Sequence, residues 1–355
     1  MTVMKADSII GCLLGTAVGD ALGLPYEGIG PRRLRRMFPE LGRHHFLFGR
    51  GMISDDTEHT CFVAQALLSA HGNPDEFERQ LARSLRWWFL GLPAGIGLAT
   101  LKACLRLWMG IPPARSGVFS AGNGPAMRSA LIGVAYGDEP TLLREHVLRS
   151  TRITHSDPKA FYGSLAVAVA AHLSCTHAAP APDDFIMALR TYLPVEGAEE
   201  FLALMEKAAQ SATRDEPLSK FVESIGCRNG ISGYIFDTVP CVVQTWLRHQ
   251  NDYRSGLEDI LAAGGDADTT AAILGGIIGA GVGRKGMPRE WIAGIAEWPR
   301  TVKWMEHLGE VLSRALDGDI KARQPSLLVP GIVIRNVVFT LVVIIHALRR
   351  LAPPY

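Results

Sequence analysis

The sequence predicts an all-α protein folded as one large helical domain. Three observations carry this. Apolar residues recur at helical spacing along much of the chain, alternating strand patterns are scarce, and no stretch has the length or composition of an interdomain linker. The 355 residues are 48% apolar and 20% charged, which places the chain with folded globular proteins and allows a sizeable core. The formal net charge of +1 gives no global electrostatic case for nucleic-acid binding. No internal repeat of fixed period is visible.

Residues 8–22 read as the first helix, with Asp7 or Ser8 as its N-cap. Gly11, Gly15 and Gly19 recur every four residues and so share one face, which lets a second helix approach closely. In membranes this spacing marks a helix dimer; here Asp20 and the shortness of the stretch favour close packing inside a soluble bundle. A second helix follows Ser54, where Thr60, Val63, Ala64, Leu67 and Leu68 form one apolar stripe. Phe201, Leu204, Met205 and Ala208 repeat the pattern, as do Val242, Val243, Trp246 and Leu247. Residues 161–173 and 271–280 are apolar almost all round, so both belong in the middle of the bundle. Trp87, Trp88, Trp108 and Trp246 read as core, and His44 and His45 as loop residues without a partner at a telling spacing.

A body over 1–320 is followed by an apolar tail over 321–355. Residues 337–345 are apolar except for Thr340, but Pro330, Gly331, Arg335, Asn336 and His346 interrupt the run, and a spanning helix needs roughly 20 apolar residues. The tail therefore reads as a terminal helix packed on the body or on a second subunit. The sharper alternative is peripheral membrane attachment, with Arg349 and Arg350 near headgroups. Cys12, Cys61, Cys104, Cys175, Cys227 and Cys241 form no CxxC pair, which argues against a thiolate zinc or redox motif. Together with the lack of a recognisable signal peptide, this gives the expectation of a cytoplasmic protein.

Two acidic clusters carry the chemistry. Ser54-Asp55-Asp56-Thr57 stands where a helix begins, and taken alone it is an ordinary N-cap with acids in the first turn. Gly264-Gly265-Asp266-Ala267-Asp268-Thr269-Thr270 precedes a helix that is nearly all Ala, Ile, Leu and Gly. Acids at the head of so apolar a helix are half-buried, where bare negative charge is costly, and no Lys or Arg is close in sequence to compensate. The two clusters explain each other if they converge. Four carboxylates with several hydroxyls form a hard, oxygen-only set that suits magnesium, manganese or calcium, and more than two acids fits two ions.

Five blocks in order make a resemblance specific: residues 11–28 (GCLLGTAVGDALGLPYEG), 53–58 (ISDDTE), 122–128 (GNGPAMR), 151–158 (TRITHSDP) and 264–270 (GGDADTT). From about residue 5 to about residue 315 the chain resembles the ADP-ribosylglycohydrolase family. The resemblance implies an orthogonal helical bundle around a cleft with two Mg2+ or Mn2+ ions. It implies that Ser54, Asp55 and Asp56 form one metal-ligand group and Asp266, Asp268 and Thr269 the other, with serine standing where the family often has threonine. Glu27 matches an acid on a loop over the cleft, and Asp20 a residue buried beside the metal ligands. Gly122, Asn123 and Gly124 match a diphosphate-cradling loop, with Ser120 just before it; no Lys-Ser/Thr follows, so this is not a P-loop. His155 is implied as a donor to phosphate or ribose, and Tyr234 is a candidate for stacking on adenine.

The implied activity is hydrolysis at the anomeric carbon of an ADP-ribosyl group on a protein, with arginine the leading linkage and ADP-ribose the product. Glu27 and Asp56 are both candidates for proton transfer. The loops at 32–51 and 92–117 are expected to shape specificity. Two rivals stand beside this: a non-catalytic ADP-ribose-binding or structural protein on the same fold, and a metal-dependent phosphohydrolase cutting within the diphosphate. Serine-linked and O-acetyl adducts are alternative substrates.

Overall fold

A computed structural model of the chain describes residues 2–46, 48–193 and 196–351. Residues 352–355 of the expected tail lie outside the described residues. The helices are α1 (Thr2–Gly23), α2 (Pro31–Met37), α3 (Asp55–Ala70), α4 (Pro74–Leu90), α5 (Leu98–Trp108), α6 (Pro113–Ser116), α7 (Ala130–Tyr136), α8 (Pro140–Arg152), α9 (Pro158–Thr176), α10 (Pro182–Tyr192), α11 (Glu199–Thr213), α12 (Leu218–Ser224), α13 (Ile235–Arg248), α14 (Tyr253–Ala263), α15 (Ala267–Val282), α16 (Arg289–Gly294), α17 (Val302–Leu316) and α18 (Val329–Arg349). Among the described residues there is no sheet, only isolated bridges.

The centre is the pair α1 and α15, packed backbone against backbone. A Cβ built on Gly15 would stand 2.1 Å from the carbonyl oxygen of Gly275, and one on Gly19 2.0 Å from that of Ala271. The glycine face predicted on α1 therefore meets a second face of small residues on α15. Tyr253 on α14 donates to the Gly15 carbonyl at 2.7 Å and closes the seam. Helices α9, α13 and α14 pack around α15, while α3 and α17 flank α1. This surrounds α15 with protein, as its all-round apolar sequence requires. The seam ends at the acids: a Cβ on Gly23 would lie 2.6 Å from Cα of Asp268. The close approach thus fixes the last turn of α1 against the first turn of α15.

Several expectations change. Helix α1 starts at Thr2, so Asp7 and Ser8 lie inside it rather than capping it; no helix breaker precedes them. Trp88 and Trp246 are buried, whereas Trp87 and Trp108 are exposed, packed edge-on with Arg86 stacked over Trp108. His44 is buried and bonded through Nε2 to the carbonyl of Trp291 at 2.8 Å, a partner too distant in sequence for spacing to reveal.

The tail forms α18 and packs on the body through polar residues and through Phe339, which is buried with Leu24, Phe46 and Met52. Arg335 donates through Nε and Nη2 to the two carboxylate oxygens of Glu297, both at 2.7 Å, and both side chains are buried. Asn336 donates to the carbonyl of Gly91 at 2.7 Å. At the other end His346 donates to the carbonyl of Pro25 at 3.0 Å and Arg350 to that of Glu27 at 2.7 Å.

Candidate active site

Ser54 caps α3: its Oγ accepts from the amide of Asp56 at 3.3 Å and donates to Asp56 Oδ2 at 3.0 Å. The cap is held from below by Asp20. Its carboxylate, fully buried in the last turn of α1, accepts from the Ser54 amide (2.8 and 3.0 Å), the Thr57 amide (3.2 Å) and the Thr57 hydroxyl. Asp20 is thus the residue beside the site that the sequence pointed to. Burial pushes its carboxyl up to about 6 although these donors pull the other way.

The second acidic turn is placed by two glycines. Gly264 and Gly265 both have positive φ, and a Cβ on Gly265 would lie 2.1 Å from the carbonyl oxygen of Ile231. The pair runs between two loops, with Gly265 N donating to Ile29 O (2.9 Å), Gly28 N to Gly265 O (2.8 Å) and Asp266 N to Ile231 O (2.7 Å). These bonds draw the Glu27 loop, the loop before α13 and the head of α15 to one place. The two acidic clusters do meet: Thr269 Oγ1 donates to Asp56 Oδ2 at 3.3 Å across the gap.

They meet in a cleft of about 330 Å3 whose lining includes Glu27, Asp55, Asp266, Asp268 and Thr269 together with Ser120, Gly122, Asn123, Gly124 and His155. Asp56 and Ser54 lie just beneath. Asn123 Nδ2 bridges from the glycine loop to Asp266 Oδ2 (2.6 Å) and Thr238 Oγ1 (2.9 Å), joining the two halves of the site. Ser120 accepts from the Gly122 amide at 3.3 Å. Tyr234 is adjacent through a backbone bridge to Gly122, but its ring is not part of the lining and Lys159 donates to its hydroxyl at 3.0 Å.

No Lys or Arg is among the lining residues. The carboxyls of Asp55, Asp56 and Asp268 are all driven well above the usual carboxylate range, by burial first and then by neighbouring acids, chiefly Asp20 for Asp55 and Asp56 and Glu27 for Asp268. Glu27 is raised by withdrawal from water and by Asp266. Asp56 Oδ1 and Asp268 Oδ1 are buried without a hydrogen-bond partner. Among the described residues no three His, Cys, Asp or Glu side chains already close into a metal cage. The oxygen-only donors, the two orphaned carboxylate oxygens and the missing counter-charge nevertheless fit divalent cations of the magnesium class.

The charge cluster predicts a pH dependence. A carboxyl raised in the folded state costs stability wherever the unfolded state has ionised first. For Asp20 that window runs from the ordinary carboxylate range up to about 6, and Asp55, Asp56 and Asp268, raised in the same direction, add to the cost. With chelator present, the melting temperature is expected to fall as pH rises from about 4 to about 6. A flat or rising profile over that range would show that the cluster carries no such cost.

Sequence reasoning missed what stands behind His155. Arg128 is fully buried; it donates to Ser150 Oγ (3.1 Å), Ser150 O (2.8 Å) and Thr154 Oγ1 (2.8 Å). Thr154 Oγ1 lies 2.9 Å from His155 Nδ1. In the tautomer whose Nδ1 accepts from Thr154, Nε2 carries the ring hydrogen. Nε2 faces the glycine loop, since a Cβ on Gly122 would stand 3.1 Å from it. Burial, and then Arg128, lowers His155 to about 3, so the ring is a neutral donor. A buried arginine in the block GNGPAMR was the available signal. Of the two loops expected at the site, 92–117 supplies Gly95 and residues 97–100 to the lining, whereas 32–51 lies outside it, with His44, His45 and Phe46 beside α18.

Known proteins similar in sequence and fold define the class of this chain. The family model described as ADP-ribosylglycohydrolase matches residues 1–322. An uncharacterised protein of Archaeoglobus fulgidus is 33% identical over 296 residues, covering 81% of this chain and 90% of its own. The ADP-ribosyl-[dinitrogen reductase] glycohydrolase of Rhodospirillum rubrum is 27% identical over 298 residues, with the same two coverages of 81% and 90%. Human ADP-ribosylhydrolase ARH3 is 25% identical over 335 residues, covering 79% and 87%. The solved structure of an ADP-ribosylglycohydrolase-related protein complex superposes with a TM-score of 0.63 at 25% identity, over 88% of this chain and 99% of that one. The chain belongs to the ADP-ribosylglycohydrolase family, whose members are ADP-ribosyl hydrolases.

Proposed function

We propose that the protein hydrolyses the bond between ADP-ribose and an arginine side chain of a modified protein, with two divalent cations, Mg2+ or Mn2+. The observation that carries this is the uncompensated acidic cleft. Glu27, Asp55, Asp266 and Asp268 line it and no basic side chain does. With the aspartates neutralised by the cations, Glu27, exposed and lining the cleft, remains to face an ADP-ribosylated guanidinium, which keeps its positive charge, whereas a serine glycoside is neutral. Asp55, Asp56, Asp266 and Asp268 would hold the cations, with the hydroxyls of Ser54 and Thr269 completing the set. When bound, such ions supply Lewis-acid activation of water and charge stabilisation at the ribose.

The chain's own residues do the rest. The amide of Gly124 and Nε2–H of His155 bind the diphosphate as neutral donors, while the amides of Gly122 and Asn123 are given to Ser120 Oγ and the carbonyl of Gly233 and hold the loop in shape. Asn123 ties that loop to Asp266, which sets the distance between diphosphate and anomeric carbon. Glu27 is better placed than Asp56 for proton transfer: it lines the cleft, whereas Asp56 is buried and held through Oδ2 by Ser54 and Thr269. The carboxylates oppose the positive charge that builds on the sugar as the bond breaks.

The test is incubation with an arginine-ADP-ribosylated protein, with magnesium or with excess chelator. Magnesium-dependent release of intact ADP-ribose is expected. Release only from serine-linked or O-acetyl substrates would reassign the linkage. AMP as product would mean cleavage within the diphosphate and defeat the reading.

A further inference from the structure

Helix α18 carries a second apolar face that nothing among the described residues covers. Toward the body it turns Arg335, Asn336 and His346, each bonded there, and Phe339, Val342 and Val343, which pack with Leu24, Phe46 and Met52. Its outer stripe is Ile334, Val337, Leu341, Ile345 and Leu348, all exposed at helical spacing. A surface helix ordinarily turns polar residues outward. From Ile334 to Leu348 the stripe runs about 21 Å along the helix. An apolar surface of that length does not belong in water.

We propose that this face docks the protein on an anionic lipid surface, with α18 lying along the bilayer plane. Charge identifies the occupant. The last acidic residue in the sequence is Asp319, so every formally charged side chain after it is basic. Helix α2, with Arg32, Arg33, Arg35 and Arg36, abuts the C-terminal end of α18, where Arg33 donates to the carbonyl of Arg350. Arg32, Arg35 and Arg349 are exposed. The chain's net charge is only +1, so this is a local concentration of positive charge beside an apolar stripe. Phe48, fully exposed, shares a surface cavity with Ile345 and Arg349 and extends the apolar surface past the helix. Apolar side chains flanked by arginines match the acyl boundary and headgroups of a membrane interface. The helix does not cross the bilayer in this arrangement, because its polar residues are bonded to the body at both ends, at Glu297 and Pro25.

The test is co-sedimentation of the full chain with vesicles of phosphatidylcholine alone or of phosphatidylcholine mixed with phosphatidylserine. Binding to the phosphatidylserine vesicles, weakened by salt, is expected. Leu341→Glu and Ile345→Glu place charge on an exposed face and leave the fold intact, checked by an unchanged melting temperature. Each is expected to weaken vesicle binding at least about tenfold. Arg32→Glu with Arg35→Glu should remove the preference for phosphatidylserine. Three results would each overturn the proposal: full-length protein that stays in the supernatant, equal binding to both vesicle types, or Glu variants that bind like the parent. A concentration-dependent dimer that the same variants abolish, without vesicle binding, would assign the face to a second copy instead.

Discussion

Asp268→Asn is expected to lower ADP-ribose release by about 10²–10³-fold and at the same time to raise the melting temperature of the metal-free protein. Both effects have one cause. The Asp268 side chain is buried, its Oδ1 has no partner, and burial followed by Glu27, Asp266, Asp56 and Asp20 drives its carboxyl well above the carboxylate range. At neutral pH an ionised group in that position opposes folding, because the unfolded chain gives up the same proton more readily. The amide has the same shape and no charge, so it relieves the repulsion. It also removes an anionic oxygen from the set proposed to hold the cations and to face the charge building on the sugar. Activity and thermal melting in chelator should therefore move in opposite directions. Parent-like release by the variant would remove Asp268 from the mechanism. Lost release with a lowered melting temperature would make it a structural partner instead.

The acidic clusters were legible because each is contiguous in sequence and stands at the head of a helix. Residues 54–57 and 264–270 needed only to be recognised as two halves of one site, and the apolar character of α15 supplied the reason that its acids require compensation. The glycine face of α1 was legible for the same kind of reason, since spacing alone puts Gly11, Gly15 and Gly19 on one side. What could not be read depends on partners far along the chain. Arg335, Asn336 and His346 read as interruptions of an apolar run, yet they are the docking contacts of α18, because Glu297, Gly91 and Pro25 wait for them. Tyr234 reads as a candidate for stacking on adenine, but only the structure shows Lys159 holding its hydroxyl. Spacing likewise gives Trp87 a helix face without saying that this face lies at the surface.

These distant contacts also connect the parts. The last turn of α18 holds the backbone of the Glu27 loop through His346 and Arg350, and Arg335 donates to the carbonyl of Ile53, the residue before the Ser54 cap. The tail, most of which lies beyond the family-matched residues 1–322, is thus bonded to both edges of the acidic site. Its attachment is polar and bidentate at Glu297, where a buried pair that loses one partner leaves an uncompensated charge.

Gly15→Ala is expected to cost at least about 3 kcal/mol of folding stability, several times the effect of an ordinary surface change. The added methyl would stand 2.1 Å from the carbonyl oxygen of Gly275, and the atom in the way is backbone, so no side chain can rotate aside. Relief requires α1 and α15 to separate, and α15 is enclosed by α9, α13 and α14. Separation also breaks the Tyr253 bond to Gly15 and draws Asp20 away from Ser54 and Thr57, so the cleft should loosen with the core. Gly97→Ala is the matched control: nothing lies within 4 Å of its added methyl, and as a helix N-cap it should shift stability by less than about 1 kcal/mol. Urea denaturation reads the difference as a change in midpoint at constant slope. A Gly15→Ala midpoint equal to that of the parent would mean that the two helices are not held in this contact, and the placement of Asp20 at the head of α3 would lose its physical basis.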